Sequence, residues 1–179
     1  LPRLRVGTDA DIKALIAYWG KGGREIAVRP LLESIPKTSN GITVDVALLL
    51  PPFARERLHT YPLPSRGVPG VLRDCHWTAL NFFDDTPDDR YGRPEAVLAA
   101  IEKDYYPVPG NPSFGDLALF SAAGQGVVHS AVFIADDILF TKNGGGFTSP
   151  WLMMMRTEVL AAFPAYDKLD VTYYRAKKR

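Results

Sequence analysis

Asp74-Cys75-His76-Trp77-Thr78-Ala79-Leu80-Asn81-Phe82-Phe83 is the stretch on which the fold turns. Trp77, Leu80 and Phe83 recur at helical spacing, so the segment reads as a helix with one face in a core. Asp74 stands at the cap position, where its carboxylate can accept the free N–H groups of the first turn. Cys75, the single cysteine of the chain, then falls at the first helical position, where the helix dipole favours a thiolate. One thiol at a capped helix start, with a histidine further along, is the pattern of a cysteine nucleophile. The same residue also reads as an inert buried cysteine, since free thiols are commonly buried.

Outward from that helix the chain divides by pattern. Residues 1–50 carry no recognisable chemistry and read as an N-terminal extension. Thr8 or Asp9 caps a helix through Ile12, Leu15, Ile16 and Trp19, ended by Gly20. The alternation of Ile42, Val44, Val46, Leu48 and Leu50 suggests a strand, with a helix as the alternative. Residues 51–179 read as the catalytic domain. Pro51-Pro52 opens a short helix ending near His59, and a proline- and glycine-punctuated loop carrying Tyr61, Gly67 and Gly70 leads to Asp74. A second helix runs from Pro94 to Tyr105. From Phe114 the pattern changes to short strands: one through Leu117–Phe120, one from Val127 to Ile134 carrying His129, and one from Ile138 to Lys142 after the Asp136-Asp137 turn. Trp151–Phe163 reads as partly helical, with Met153-Met154-Met155 as core filler. Val171–Tyr174 closes as a strand, and residues 175–179 read as a solvated basic tail. Helices followed by a meander of strands make an α+β fold, helices packed on an antiparallel β-sheet.

Composition limits the partners. A net charge of +1 gives no reason to expect nucleic acid, and one cysteine excludes an internal disulfide framework or a thiolate zinc cage. No apolar run reaches membrane-spanning length, so no integral membrane segment is expected. No metal site is read from the spacing of His59, His76 and His129, and no cofactor is expected.

The order Tyr61-Pro62, Asp74-Cys75, Phe114-Gly115-Asp116-Leu117-Ala118-Leu119-Phe120, then His129 in a strand followed by Asp136-Asp137 and the strand Ile138–Thr141, resembles the NlpC/P60 family of papain-like cysteine peptidases. The resemblance spans roughly Pro51 to Asn143. It implies that Cys75 is the nucleophile and His129 the general base, expected within roughly 3–4 Å of each other. It implies a third polar residue that orients His129. Register places Thr141 there, while the chemistry of a longer carbonyl favours Asn143; Lys142 should point the other way. Tyr61, Asp74 and His76 would line the substrate groove, His76 replacing the small residue usual after the cysteine. The implied activity is a thiol endopeptidase or amidase on peptidoglycan stem peptides or related small peptides, at γ-D-glutamyl–diamino acid bonds. A secreted, periplasmic or cell-envelope protein is implied, its leader not in the sequence. The alternatives are an acyltransferase or amidase on another amide, and a catalytically silent binding module of the same fold.

Overall fold

The computed structural model describes residues 2–63 and 71–177; the Gly67–Gly70 part of the loop before the cysteine helix lies outside them. The architecture is α+β. Six strands form one antiparallel sheet in the order β3-β8-β4-β5-β6-β7. They are β3 (Tyr105–Pro107), β4 (Leu117–Ala122), β5 (Gly126–Ala135), β6 (Ile138–Lys142), β7 (Trp151–Met155) and β8 (Asp170–Ala176). A separate two-stranded ribbon pairs β1 (Arg3–Val6) with β2 (Ile42–Asp45). The tight β5–β6 connection works because Asp136 takes a left-handed conformation (φ 51°), which a short polar side chain tolerates.

The central strand β5 is buried on both faces along residues 129–134. Successive side chains of a strand point to opposite faces. Val132 and Ile134 of β5, Leu117 and Leu119 of β4 and Phe140 of β6 therefore join one core. Ala131, Phe133, Ala118, Phe120 and Leu139 join a second. The first core is roofed by α4 (Cys75–Leu80), which packs on β5 and β6 and buries Trp77 and Leu80. The second is roofed by α6 (Arg156–Ala161) and the chain after it, through Val159 and Phe163.

Residues of the first fifty belong to the first core: Val6, Ile16, Trp19, Val28, Leu32 and Leu49 pack in one cluster with Phe114 and Ile134. The α1 helix (Ile12–Trp19) is capped by Asp11, whose carboxylate accepts from Ala14 N at 3.0 Å, rather than by Thr8 or Asp9. It is followed by α2 (Glu25–Ser34) and α3 (Pro52–Arg57), and α5 (Pro94–Asp104) comes between α4 and β3. The Tyr18 hydroxyl donates to the Ile134 carbonyl at 2.8 Å, tying α1 directly to β5.

Two further expectations are corrected and one is sharpened. The alternating run from Ile42 is a strand only to Asp45, whose carboxylate accepts from Ala47 N and turns Val46–Leu49 into a 3₁₀ segment. The expected part-helical character of residues 151–163 holds, with helix at Arg156–Ala161; the methionine run before it is strand β7, paired with β6 in register Ile138↔Met155 to Lys142↔Trp151. Arg175 is part of β8 rather than a solvated tail. Its guanidinium makes a bidentate pair with Asp116, which is 1 % exposed, at 2.8 and 2.7 Å.

Candidate active site

The site is built from the first turn of α4 and the two strands beneath it. Asp74 caps the helix as its sequence position requires: Oδ1 accepts from His76 N at 2.9 Å and Trp77 N at 3.1 Å. Thr78 reinforces the turn by donating to the Asp74 carbonyl at 2.6 Å, and its hydroxyl accepts from the Trp151 indole at 2.9 Å. The Trp77 indole donates to Asp89 at 3.0 Å, and Asp89 also pairs with Arg73. The start of α4 is thus held from its own cap, from β7 and from the Asp89 loop.

Cys75 is 6 % exposed. Burial, and then the neighbouring Asp74 carboxylate, push its thiol up to about 12, while the backbone N–H groups of Ser130, His76 and Cys75 itself pull the other way. At rest the thiol is therefore protonated, not the thiolate expected from the helix dipole alone. A ring nitrogen of His76, the Cys75 sulfur and an Asp74 carboxylate oxygen lie within 4.8 Å of one another. His76 Nδ1 is 2.7 Å from the Ser130 hydroxyl. Burial lowers the His76 pKa and Asp74 partly restores it, so this imidazole is neutral near pH 7.

The contacts His129 makes lie in the second core, and no hydrogen bond to Cys75 is seen among the described residues. His129 lies one residue from Ser130 on β5, so its side chain leaves the opposite face of the sheet. Its ring sits against Phe120 (5.4 Å between centroids) and Phe163 (4.8 Å), in the second core. Thr141 Oγ1 is 2.9 Å from His129 Nε2. Thr141 thus stands beside His129, where the register expects it. Asn143 does not orient His129: its amide nitrogen donates to Met154 Sδ at 3.3 Å, and its buried carbonyl oxygen has no hydrogen-bond partner. Burial, followed by the charge of His76, drives the His129 pKa down to about 3. That suits a neutral packing group rather than a base working near neutrality.

Lys142 faces away from Thr141 on β6, as its position predicts, and that direction is the α4 side of the sheet. It is fully buried, and its ammonium donates to the carbonyls of Gly144 and of Gly146, the latter at 3.1 Å. It lies 5.7 Å from the Trp151 ring. Asp74 and Cys75 both act on its charge. Tyr61 is 58 % exposed and follows Thr60, which pairs with Trp151, so it stands at the Lys142 end of the sheet. Asp74, Cys75 and His76 group three polar donors, but Asp74 Oδ1 already accepts from two amides and a buried ammonium faces the group, which opposes a cation there.

The roles of His76, Ser130 and Lys142 escaped the sequence reading. With β5 buried on both faces, no polar–apolar alternation distinguishes the side of His129 from the side of Ser130. Among the described residues, no helix is long and apolar enough to cross a membrane. No family model matches this chain, and no curated protein matches it significantly.

Proposed function

We propose that this chain is a cysteine-dependent amide hydrolase of papain-like, NlpC/P60-type architecture, acting on short peptides such as peptidoglycan stem peptides in the cell envelope. The observation that carries the reading is the convergence of a thiol, an imidazole and a hydroxyl at one helix start: Cys75 beside His76, and His76 bonded to Ser130 at 2.7 Å. The substrate class rests on the resemblance. The assignment of the base does not: His76 takes the place that the resemblance gives to His129.

In this mechanism Ser130 fixes the His76 ring, so that its other nitrogen serves the thiol. The sulfur and a ring nitrogen lie within 4.8 Å of each other, and tighten when substrate excludes water. Proton transfer from Cys75 to His76 gives the thiolate, which attacks the amide carbonyl. The Ser130 and Cys75 backbone N–H groups, both directed at the sulfur, favour that thiolate over the buried neutral thiol. The His76 imidazolium then gives its proton to the leaving amine, and neutral His76 activates the water that releases the acyl group.

A second reading has its own observation. A thiol 6 % exposed, with its pKa pushed to about 12, is also what a catalytically silent groove of this fold would contain. One experiment separates the two. The full chain is incubated with defined muropeptides containing γ-D-glutamyl–diamino acid bonds, with Cys75→Ala as control, and products are read by mass spectrometry. Cleavage that disappears in C75A supports the hydrolase. Binding of the same peptides without cleavage, at equal affinity for both proteins, supports the silent module.

A further inference from the structure

Lys142 is a fully buried lysine at the end of β6, near enough to Asp74 for the carboxylate's charge to act on it. Such a group is costly unless its hydrogen bonds and charge are answered. Here the carbonyls of Gly144 and Gly146 take two of its protons, and the face of Trp151 lies 5.7 Å away. Gly145, between those two carbonyls, lies against Leu72 and Asp74: a Cβ built there would stand 3.6 Å from Leu72 Cδ2 and 3.9 Å from Asp74 Cβ. The lysine therefore ties the loop that follows β6 down onto the cap of the cysteine helix.

We infer that Lys142 is a positioning residue of the Cys75 site: its ammonium pins the Gly144–Gly146 loop over Asp74 and supplies the fixed positive charge beside which the Cys75 thiolate forms. Several charged groups share this environment. Asp74 and His76 flank the thiol on α4, and Asp74 opposes its ionisation. Arg57 of α3 (Pro52–Arg57) stacks over Phe53 at 4.0 Å and reaches the Trp77 and Trp151 rings. Arg73 is neutralised by Asp89 at 3.0 Å, and His129 is on the other face of the sheet. Lys142 is the cation that β6 contributes, and the Asp74 carboxylate favours its charged form against burial.

The inference rests on Cys75 being the reacting thiol of the proposed function, but its test reads the thiol directly. The rate of Cys75 alkylation by iodoacetamide is measured on the full chain from pH 7 to 9.5, together with limited proteolysis across residues 143–148. Lys142→Gln keeps a donor for the carbonyls and removes the charge. It should slow alkylation about tenfold at each pH, the equivalent of a one-unit rise in thiol pKa, while the loop stays protected. Lys142→Met should slow alkylation as much and also expose the loop. Lys142→Arg should restore the native rate. Native alkylation in K142Q, or equal slowing in K142R and K142Q, overturns the inference. If K142Q and K142M fail to fold, K142R carries the test alone: native rate and native loop protection support it, and a tenfold loss in a folded K142R overturns it. Absence of peptide cleavage would remove the proposed function and leave this result standing.

Discussion

Two histidine–hydroxyl pairs stand back to back across strand β5. On the α4 face, His76 Nδ1 meets the Ser130 hydroxyl at 2.7 Å beside a cysteine. On the α6 face, His129 Nε2 meets the Thr141 hydroxyl at 2.9 Å between two phenylalanine rings. Each has the elements of an oriented base, and Ser130 and His129 are consecutive residues. What separates them is the company each keeps. The first pair borders a thiol, a carboxylate and a lysine ammonium; the second is enclosed by apolar side chains, and His129 is 1 % exposed. A polar pair becomes reactive or structural according to the side of the sheet it occupies, and a strand sets that side by single-residue steps.

The strongest way to break this comparison is to remove each imidazole in turn. His76→Ala should lower kcat/KM for a cleaved peptide by about 10²–10⁴-fold, the range for losing a general base. Cys75→Ala should abolish turnover. His129→Ala should leave turnover per folded molecule unchanged while reducing the folded fraction. Steady-state kinetics, normalised to folded protein by circular dichroism, decide the matter. Loss of activity in H129A with native activity in H76A would reverse the assignment.

The same comparison explains what was legible in the sequence. Asp74 and the apolar spacing of Trp77 and Leu80 define α4 locally, because caps and helical periodicity are short-range signals. The Asp136-Asp137 turn and the antiparallel pairing of β5 with β6 follow from equally local chemistry. The side on which α4 lands is not local. Val132 and Ile134 face it, and Ala131 and Phe133 face α6, but both sets are apolar, so the strand carries no label for either face. A polar residue on each side, Ser130 and His129, completes the ambiguity. The burial of Lys142 was hidden for a related reason: a lysine at the end of a strand ordinarily reads as solvated, and only the carbonyls of the following glycine loop and the Trp151 ring make its burial tolerable.

Acid sharpens the contrast next. The folded chain holds the His129 pKa near 3, below its ordinary 6.5, so between these values the unfolded chain binds the extra proton. Stability linked to this residue is therefore complete above about pH 6.5 and declines as pH falls toward 3, by at most about 1.4 kcal/mol per pH unit. Urea unfolding from pH 7 to 4 should show that slope in the native chain and a shallower one in His129→Gln, in which the carboxylates still titrate. Parallel slopes would mean that His129 is not the enclosed neutral group described. Thr141→Val should cost about 1–3 kcal/mol at pH 7, because it leaves the buried ring nitrogen without its partner. It should not alter alkylation of Cys75, which is served from the other face.

The smallest effect is expected at Asp74, and it bears on the α4 face alone. The carboxylate does two separable things there. Its Oδ1 accepts the N–H groups of His76 and Trp77, which caps the helix. Its charge raises the cost of ionising Cys75. Asn keeps the capping oxygen and drops the charge; Ala drops both. Asp74→Ala should then lose about 1 kcal/mol of unfolding free energy, whereas Asp74→Asn should stay close to native, since the two residues cap comparably. Alkylation should divide the variants differently. Removing the negative charge lowers the thiol pKa, so D74N should react faster with iodoacetamide than the native chain at every pH from 7 to 9.5. A D74N that reacts at the native rate with unchanged stability would show that the carboxylate serves the helix only, and that the field at Cys75 is set by Lys142 and the backbone amides. Neither variant should change the pH slope assigned to His129, because that imidazole lies beyond the sheet.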